Sequence, residues 1–260
     1  MELSFELGFL ETAILAGVRL AAFLVVSPPF HLSSFPGPVK VALALGIAVA
    51  AVPRVQGSSQ FAAGTLLGGD AAQFIGTLVV QAVVGLALGF IVRLVFAAVQ
   101  AAGGLIDLFG GFELAQGYDP VSGSQGAVFS RFYYMAALAL LFASDAHQLV
   151  ISGAVRSFDA VPLGAGINLE SLATLMSTGL SQLMVSAVQI AGPLIVVLFL
   201  ADVGLGLLTR VAPALNAFAL GFPLKIFITL ALGSVAFLAL PQVIASLSSR
   251  AFSAMTGVTA

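Results

Sequence analysis

Six apolar stretches dominate this chain, at about 9–27, 39–55, 74–99, 127–146, 180–209 and 217–245, each near or above the roughly 20 residues that carry a helix through a bilayer. A water-facing surface cannot be built around them. Only 9 Lys+Arg and 11 Asp+Glu occur in 260 residues, or 8%, against about 25% charged residues in an average soluble domain. With 60% of residues apolar and mean hydropathy +1.14, the expected fold class is an all-α integral membrane protein of about six long hydrophobic helices paired in hairpins. Soluble globular enzymes are excluded, and membrane lipid is an expected neighbour.

The same composition removes other classes. A net charge of −2 without a basic cluster gives no footprint for nucleic acid. Zero Cys and only two His, His31 and His147, exclude disulfides, thiolate zinc sites, iron–sulfur clusters and three-His sites, so no cofactor or metal is expected. The acidic start, with Glu2 and Glu6, lacks the basic region of a secretory signal, and the first apolar run is expected to be retained as a span. An even number of spans puts both termini on one side. Arg54, Arg156 and Arg250 on that side face Lys40 and Arg210 on the other, too even a count for the positive-inside rule to set orientation.

Prolines at Ser27-Pro28-Pro29-Phe30 and Phe35-Pro36-Gly37-Pro38 stop the first helix and make the first two spans a hairpin. Polar and glycine-rich connections are expected at Arg54–Gly69, Gln116–Gly126 and Pro162–Ser171. The third segment keeps helical spacing to about Gly111, nearly 38 residues, or about 57 Å. That exceeds a hydrocarbon core of roughly 30 Å, so it is expected to project from the membrane or to break near Gly103-Gly104.

Along this segment Gln81, Gly85, Gly89 and Arg93 recur every four residues, and Gln100 and Asp107 continue at steps of seven. Such a small and polar face reads either as a packing seam between helices or as a pore-lining stripe. Charged groups inside spans are costly and carry functional hypotheses. Arg19, in mid-span, and the pair Asp202 and Arg210 flanking Gly206 are expected to meet partners on other helices, across subunits or along a wet path. Gln182, Ser186, Gln189 and Pro193 form a polar face ending at a kink, and Gly221, Pro223 and Lys225 make an irregular start to the sixth span, where Lys225 can snorkel. Asp145 and His147 have no nucleophilic serine motif beside them, and no P-loop occurs, so no enzymatic activity is expected. Phe109, Phe112 and Tyr118, set among Gly110, Gly111 and Asp119, read as interfacial anchors or as a plug inserted into a constriction.

Taken with Arg19 followed by Ser27-Pro28-Pro29, then Gly85-x3-Gly89, Ala102-Gly103, Asp119-Pro120 and Arg210-x2-Pro213-x2-Asn216-x2-Ala219-x-Gly221-x-Pro223, the chain resembles the FliR family, export-gate proteins of flagellar biosynthesis and type III secretion. The Asn216-Ala-Phe-Ala-Leu-Gly-Phe-Pro form is similar to the flagellar branch. The resemblance covers essentially the whole chain and implies a single export-gate domain over 1–260, its N-terminal part FliP-like and its C-terminal part FliQ-like. It also implies a non-enzymatic subunit of the bacterial inner membrane and flagellar basal body, wound into a helical hetero-oligomer with FliP and FliQ. Contacts with FlhB and FlhA and passage of unfolded substrates follow from the same resemblance.

A plug is implied at Ile106, Asp107, Leu108, Phe109, Gly110, Gly111, Phe112, Tyr118 and Asp119. Many members have Gln-Met before the glycine where this chain has Leu108-Phe109. Subunit packing is assigned to Arg19, Gln81, Gly85, Gly89, Arg93, Gln100, Asp202, Gly206, Arg210, Asn216 and Lys225. The competing reading is a small secondary transporter with a midplane site at Arg19 and Asp202.

Overall fold

The structure, a computed structural model, describes residues 2–28, 30–31, 36–58, 71–112, 128–166, 168–212 and 217–256. It contains seven α-helices and no strand among those residues: α1 (Glu2–Val26), α2 (Gly37–Ser58), α3 (Ala71–Gly110), α4 (Val128–Ala143), α5 (Ala146–Ala160), α6 (Leu169–Val211) and α7 (Ala217–Met255). Four of them are long and apolar enough to cross a membrane, and two broken stretches, α4 with α5 and the two parts of α7, raise the number to six. The all-α membrane architecture read from the sequence is the one observed, in a multi-pass arrangement.

All six apolar stretches fall on helices, with three corrections. No break occurs near Gly103-Gly104, because α3 runs unbroken for 40 residues. Gly103 instead permits close packing: a Cβ there would lie 2.5 Å from the carbonyl oxygen of Phe129. The fourth stretch ends at Ala143 and is followed by α5, which hydropathy passes over because it carries His147, Gln148, Arg156 and Asp159 among its apolar positions. Asp145 separates the two with a left-handed backbone, φ 55°, a conformation Asp tolerates better than most residues. Finally, α6 starts at Leu169 rather than near 180. Asn168 Oδ1 accepts from the N–H groups of Glu170 and Ser171 at 3.0 and 3.1 Å, satisfying two of the donors that a helix start leaves open.

The chain divides into two compact units, each drawing on both halves of the sequence: Met1–Leu94, Asp145–Gly179 and Leu247–Ala260 form one, Val95–Ser144 and Leu180–Ser246 the other. In the first unit α1 and α2 form the expected hairpin. Leu15, Leu20, Phe23 and Leu24 of α1 and Ala44, Ala48, Val52 and Val55 of α2 are buried. Steps of three and four place the α2 set on one stripe. Small residues let the axes approach, as at Gly17, where a Cβ would stand 3.1 Å from Leu45 Cδ2.

In the second unit the buried face of α4 is Phe129, Tyr133, Ala137 and Leu141, every fourth residue. Ala102 and Ile106 of α3, and Ala187, Ala191, Leu194 and Leu198 of α6, are also buried. Helix α7 is broken between Ser234 and Ala236, next to the Gly233-Ser234 pair and ahead of Pro241, both recognised causes of a bend.

Candidate functional site

Two charged side chains that are fully buried, Arg19 in the first unit and Asp107 in the second, are each answered by a helix end. Arg19 lies in the middle of α1 and is 0% exposed. Its Nε donates to Gln81 Oε1 at 2.7 Å, its Nη2 to the carbonyl of Val161 at 2.8 Å and its Nη1 to Ser157 Oγ at 3.4 Å. The guanidinium also lies over the Phe158 ring, 4.1 Å from its centroid, a favourable cation–π placement. All four partners are neutral. What offsets the charge is the C-terminal end of α5, where carbonyl dipoles concentrate partial negative charge: Val161 closes that helix by donating its N–H to Ser157 O at 2.8 Å. Arg19 thus joins α1, α3 and α5 inside the chain.

Close packing of α1 on α3 brings Gln81 within reach. Gly85 lies against the Arg19 carbonyl, and a Cβ at Gly89 would be 2.7 Å from the Phe23 carbonyl oxygen. The small face of α3 therefore receives the backbone of α1, the use to which glycine at every fourth position is commonly put. The Gln81 Nε2, buried beside them, has no hydrogen-bond partner among the described residues.

Asp107, also 0% exposed, occupies the corresponding place in the second unit. Its Oδ1 accepts from the Phe129 N–H at 3.0 Å and its Oδ2 from the Ser130 N–H at 2.9 Å, so a carboxylate on α3 caps the first turn of α4. Around it, Gly110 abuts Thr229, whose Oγ1 would be 2.7 Å from a Cβ, and Gly111, at φ 81°, faces the Phe222 ring. Phe112 meets Phe129 edge to face, centroids 5.1 Å apart.

The segment implied as a plug begins as helix rather than as loop: 106–110 are the last turns of α3. Ile106, Asp107, Gly110 and Gly111 are buried, Phe109 and Phe112 are half-buried and Leu108 is exposed. Tyr118 and Asp119 lie outside the described residues, as does Asn216.

The remaining expected positions scatter. Arg93 and Gln100 are exposed on α3, and the Gln100 carbonyl accepts from Ser130 Oγ at 3.2 Å. Asp202 pairs with Lys225 at 2.7 Å, an α6–α7 bridge in place of the expected snorkelling of Lys225. Gly206 has open space around it, and Arg210 is exposed. For the solute site expected at Arg19 and Asp202, each side chain finds its polar partners in its own unit. Sequence reasoning missed Ser157, Phe158, Val161, Phe129 and Thr229. The first three sit on or just after the amphipathic α5, whose signal is a period of charged and apolar residues rather than hydropathy.

Outside the chain, the sequence is similar to proteins of known role. Residues 10–251 match the family described as bacterial export proteins, family 1. The flagellar biosynthetic protein FliR of Escherichia coli (strain K12) is 33% identical over 242 residues, 91% of this chain and 86% of that protein. FliR of Bacillus subtilis (strain 168) is 29% identical over 219 residues, 83% and 82% of the two chains. The Yop proteins translocation protein T of Yersinia pestis is 28% identical over 147 residues, 56% of each. A match over nearly the full length, joined to the all-α membrane architecture, shows that this chain belongs to the FliR family of bacterial export proteins, components of type III export apparatuses.

Proposed function

We propose that this chain is a subunit of the flagellar type III export gate in the bacterial inner membrane. It forms with FliP and FliQ the passage for unfolded flagellar substrates, contacts FlhB and FlhA, and has no enzymatic activity of its own. One observation carries the reading: α6 bears an apolar ridge too long for lipid to cover. Leu180, Met184, Val188, Val196, Leu200, Val203, Leu207 and Val211 are all exposed, the last 84% so, and at steps of three, four and eight they form a row that winds about 220° around the helix.

From Leu180 to Val211 the ridge spans about 46 Å at 1.5 Å per residue, against a hydrocarbon thickness of roughly 30 Å. Fitting it into lipid needs a tilt near 50°, beyond the roughly 0–40° found for spanning helices. Helices of other subunits, packing into a ridge of this spacing, cover the excess. Arg93, Gln100, Arg210 and the region of Gly206, exposed in this chain, are further places for such contacts, whereas Arg19, Gln81, Gly85 and Gly89 support the subunit from within.

At the end of α3, exposed Leu108 and half-exposed Phe109 are assigned to the seal of the resting passage, in the place the family resemblance gives to a plug. An aromatic ring fills a constriction at little conformational cost.

Co-expression with FliP and FliQ tests the assembly. Val196→Asp with Leu200→Asp should abolish co-purification while the wild-type chain retains both partners. A wild-type chain that purifies as a well-dispersed monomer without either partner refutes the reading. Phe109→Ala should raise the ion conductance of the closed, reconstituted gate, and unchanged conductance refutes the seal.

A further inference from the structure

Gly126 and Ala127, which precede Val128 in the sequence, carry no side-chain acceptor. The first turn of any α-helix leaves N–H groups open, and in apolar surroundings an unpaired one is costly. Asp107 supplies the acceptors from another helix, one oxygen to Phe129 and the other to Ser130. Its negative charge faces the positive end of the α4 dipole, so a fully buried carboxylate is compensated by a helix end, with no cation paired to it among the described residues. Three further contacts close the same junction: Ser130 Oγ on the Gln100 carbonyl, the Phe129 backbone against Gly103, and Phe112 on Phe129. Leu108 and Phe109 follow Asp107 directly in the chain.

We infer that Asp107 is a positioning residue for the seal. By capping α4 from α3 it ties the two helices together at this junction, and so holds Leu108 and Phe109 where they close the passage. An acidic residue at 127 would satisfy the same N–H groups and leave α3 unattached. Placing the acceptor on α3 makes the cap depend on where the end of α3 sits, so the cap and the position of the seal are lost together. This role rests on the seal proposed above.

The test uses the complex with FliP and FliQ in planar bilayers and compares the closed-gate conductance of five forms: wild type, Phe109→Ala, Asp107→Ala, Asp107→Asn and Asp107→Ala with Ala127→Asp. Asp107→Ala should assemble and conduct roughly tenfold to a hundredfold more than wild type, the factor that losing one or two charge-assisted hydrogen bonds makes in a two-state balance. Asp107→Asn, which keeps one acceptor oxygen and the side-chain shape, should fall between them; it also carries the comparison if the alanine variant is lost in assembly.

The double variant separates tie from cap. It should stay leaky, because α4 regains a cap but not its link to α3. A double variant as tight as wild type shows that capping alone suffices and overturns the positioning role. So does a tight Asp107→Ala beside a leaky Phe109→Ala, and in both cases the seal stands. A tight Phe109→Ala overturns the seal itself, and this role of Asp107 with it.

Discussion

Replacing Gln81 by Leu should destabilise the protein more than replacing Arg19 by Met, and making both changes should cost less than Gln81→Leu alone. Gln81 Oε1 takes the 2.7 Å hydrogen bond from Arg19 Nε, and both side chains are fully buried. Without it a buried cation keeps one short bond to Val161 and one long bond to Ser157, and losing the charge-assisted bond costs about 3 kcal/mol. Arg19→Met orphans Gln81 Oε1 and the Val161 carbonyl, about 1–3 kcal/mol each. It also abolishes the desolvation cost of the guanidinium, which is several kcal/mol, so its net cost is about 2 kcal/mol.

The double variant orphans only the Val161 carbonyl, for about 1–3 kcal/mol, and carries the same relief of guanidinium desolvation, so its net cost is close to zero. The singles sum to about 5 kcal/mol, so the coupling is at least about 3 kcal/mol, at or above the upper end of what contacting residues show. The measurement is unfolding of the purified variants in mild detergent by SDS titration, followed by far-ultraviolet circular dichroism, with the four corners of the cycle at one detergent concentration. Additivity within about 0.5 kcal/mol, or a harmless Gln81→Leu, would refute the claim that one hydrogen-bonded network holds α1, α3 and α5.

Other outcomes follow from the same geometry. Gly89→Ala should cost about 1–3 kcal/mol by overpacking, since the added methyl meets the Phe23 carbonyl rather than a flexible side chain, whereas Gly204→Ala, in open space, should cost nothing measurable in the same titration. The Arg54–Asp159 pair at 2.6 Å is about half exposed on both sides, so Asp159→Asn should leave the unfolding midpoint almost unmoved, and any small loss should disappear in molar salt. His31, between α1 and α2, titrates below its ordinary 6.5 because of burial first and then the charges of Arg93 and Lys40. The unfolded chain therefore binds its proton more readily, the contribution to stability is complete above pH 6.5 and is lost as pH falls through the lower folded value, and a pH series should be flatter for His31→Asn than for wild type.

The helices were legible because a spanning helix announces itself by the absence of charge over some 20 residues. The α1–α2 hairpin was legible because prolines at 28, 29, 36 and 38 stop one helix and allow the next. Helix α5 was not, since a polar amphipathic stretch after a span resembles a connection until its carbonyl end is seen to receive Arg19. Spacing marked the glycine face of α3 as a seam but not its occupant: α1 of the same chain lies on Gly85 and Gly89. Asp107 was read as part of the polar face of α3 from its spacing and as part of a plug from the family resemblance, and nothing local says that its carboxylate serves a helix beginning twenty-one residues later, at Val128.

Taken alone, the sequence determined the solvent this protein lives in, the number of apolar segments and the family to which they belong, because hydropathy and proline placement act over a few turns of one helix. Only the tertiary structure decided how Arg19 and Asp107 are tolerated. Each is compensated by the terminal dipole and open backbone groups of another helix, and such a partner exists only once the chain has brought that helix end to the charge.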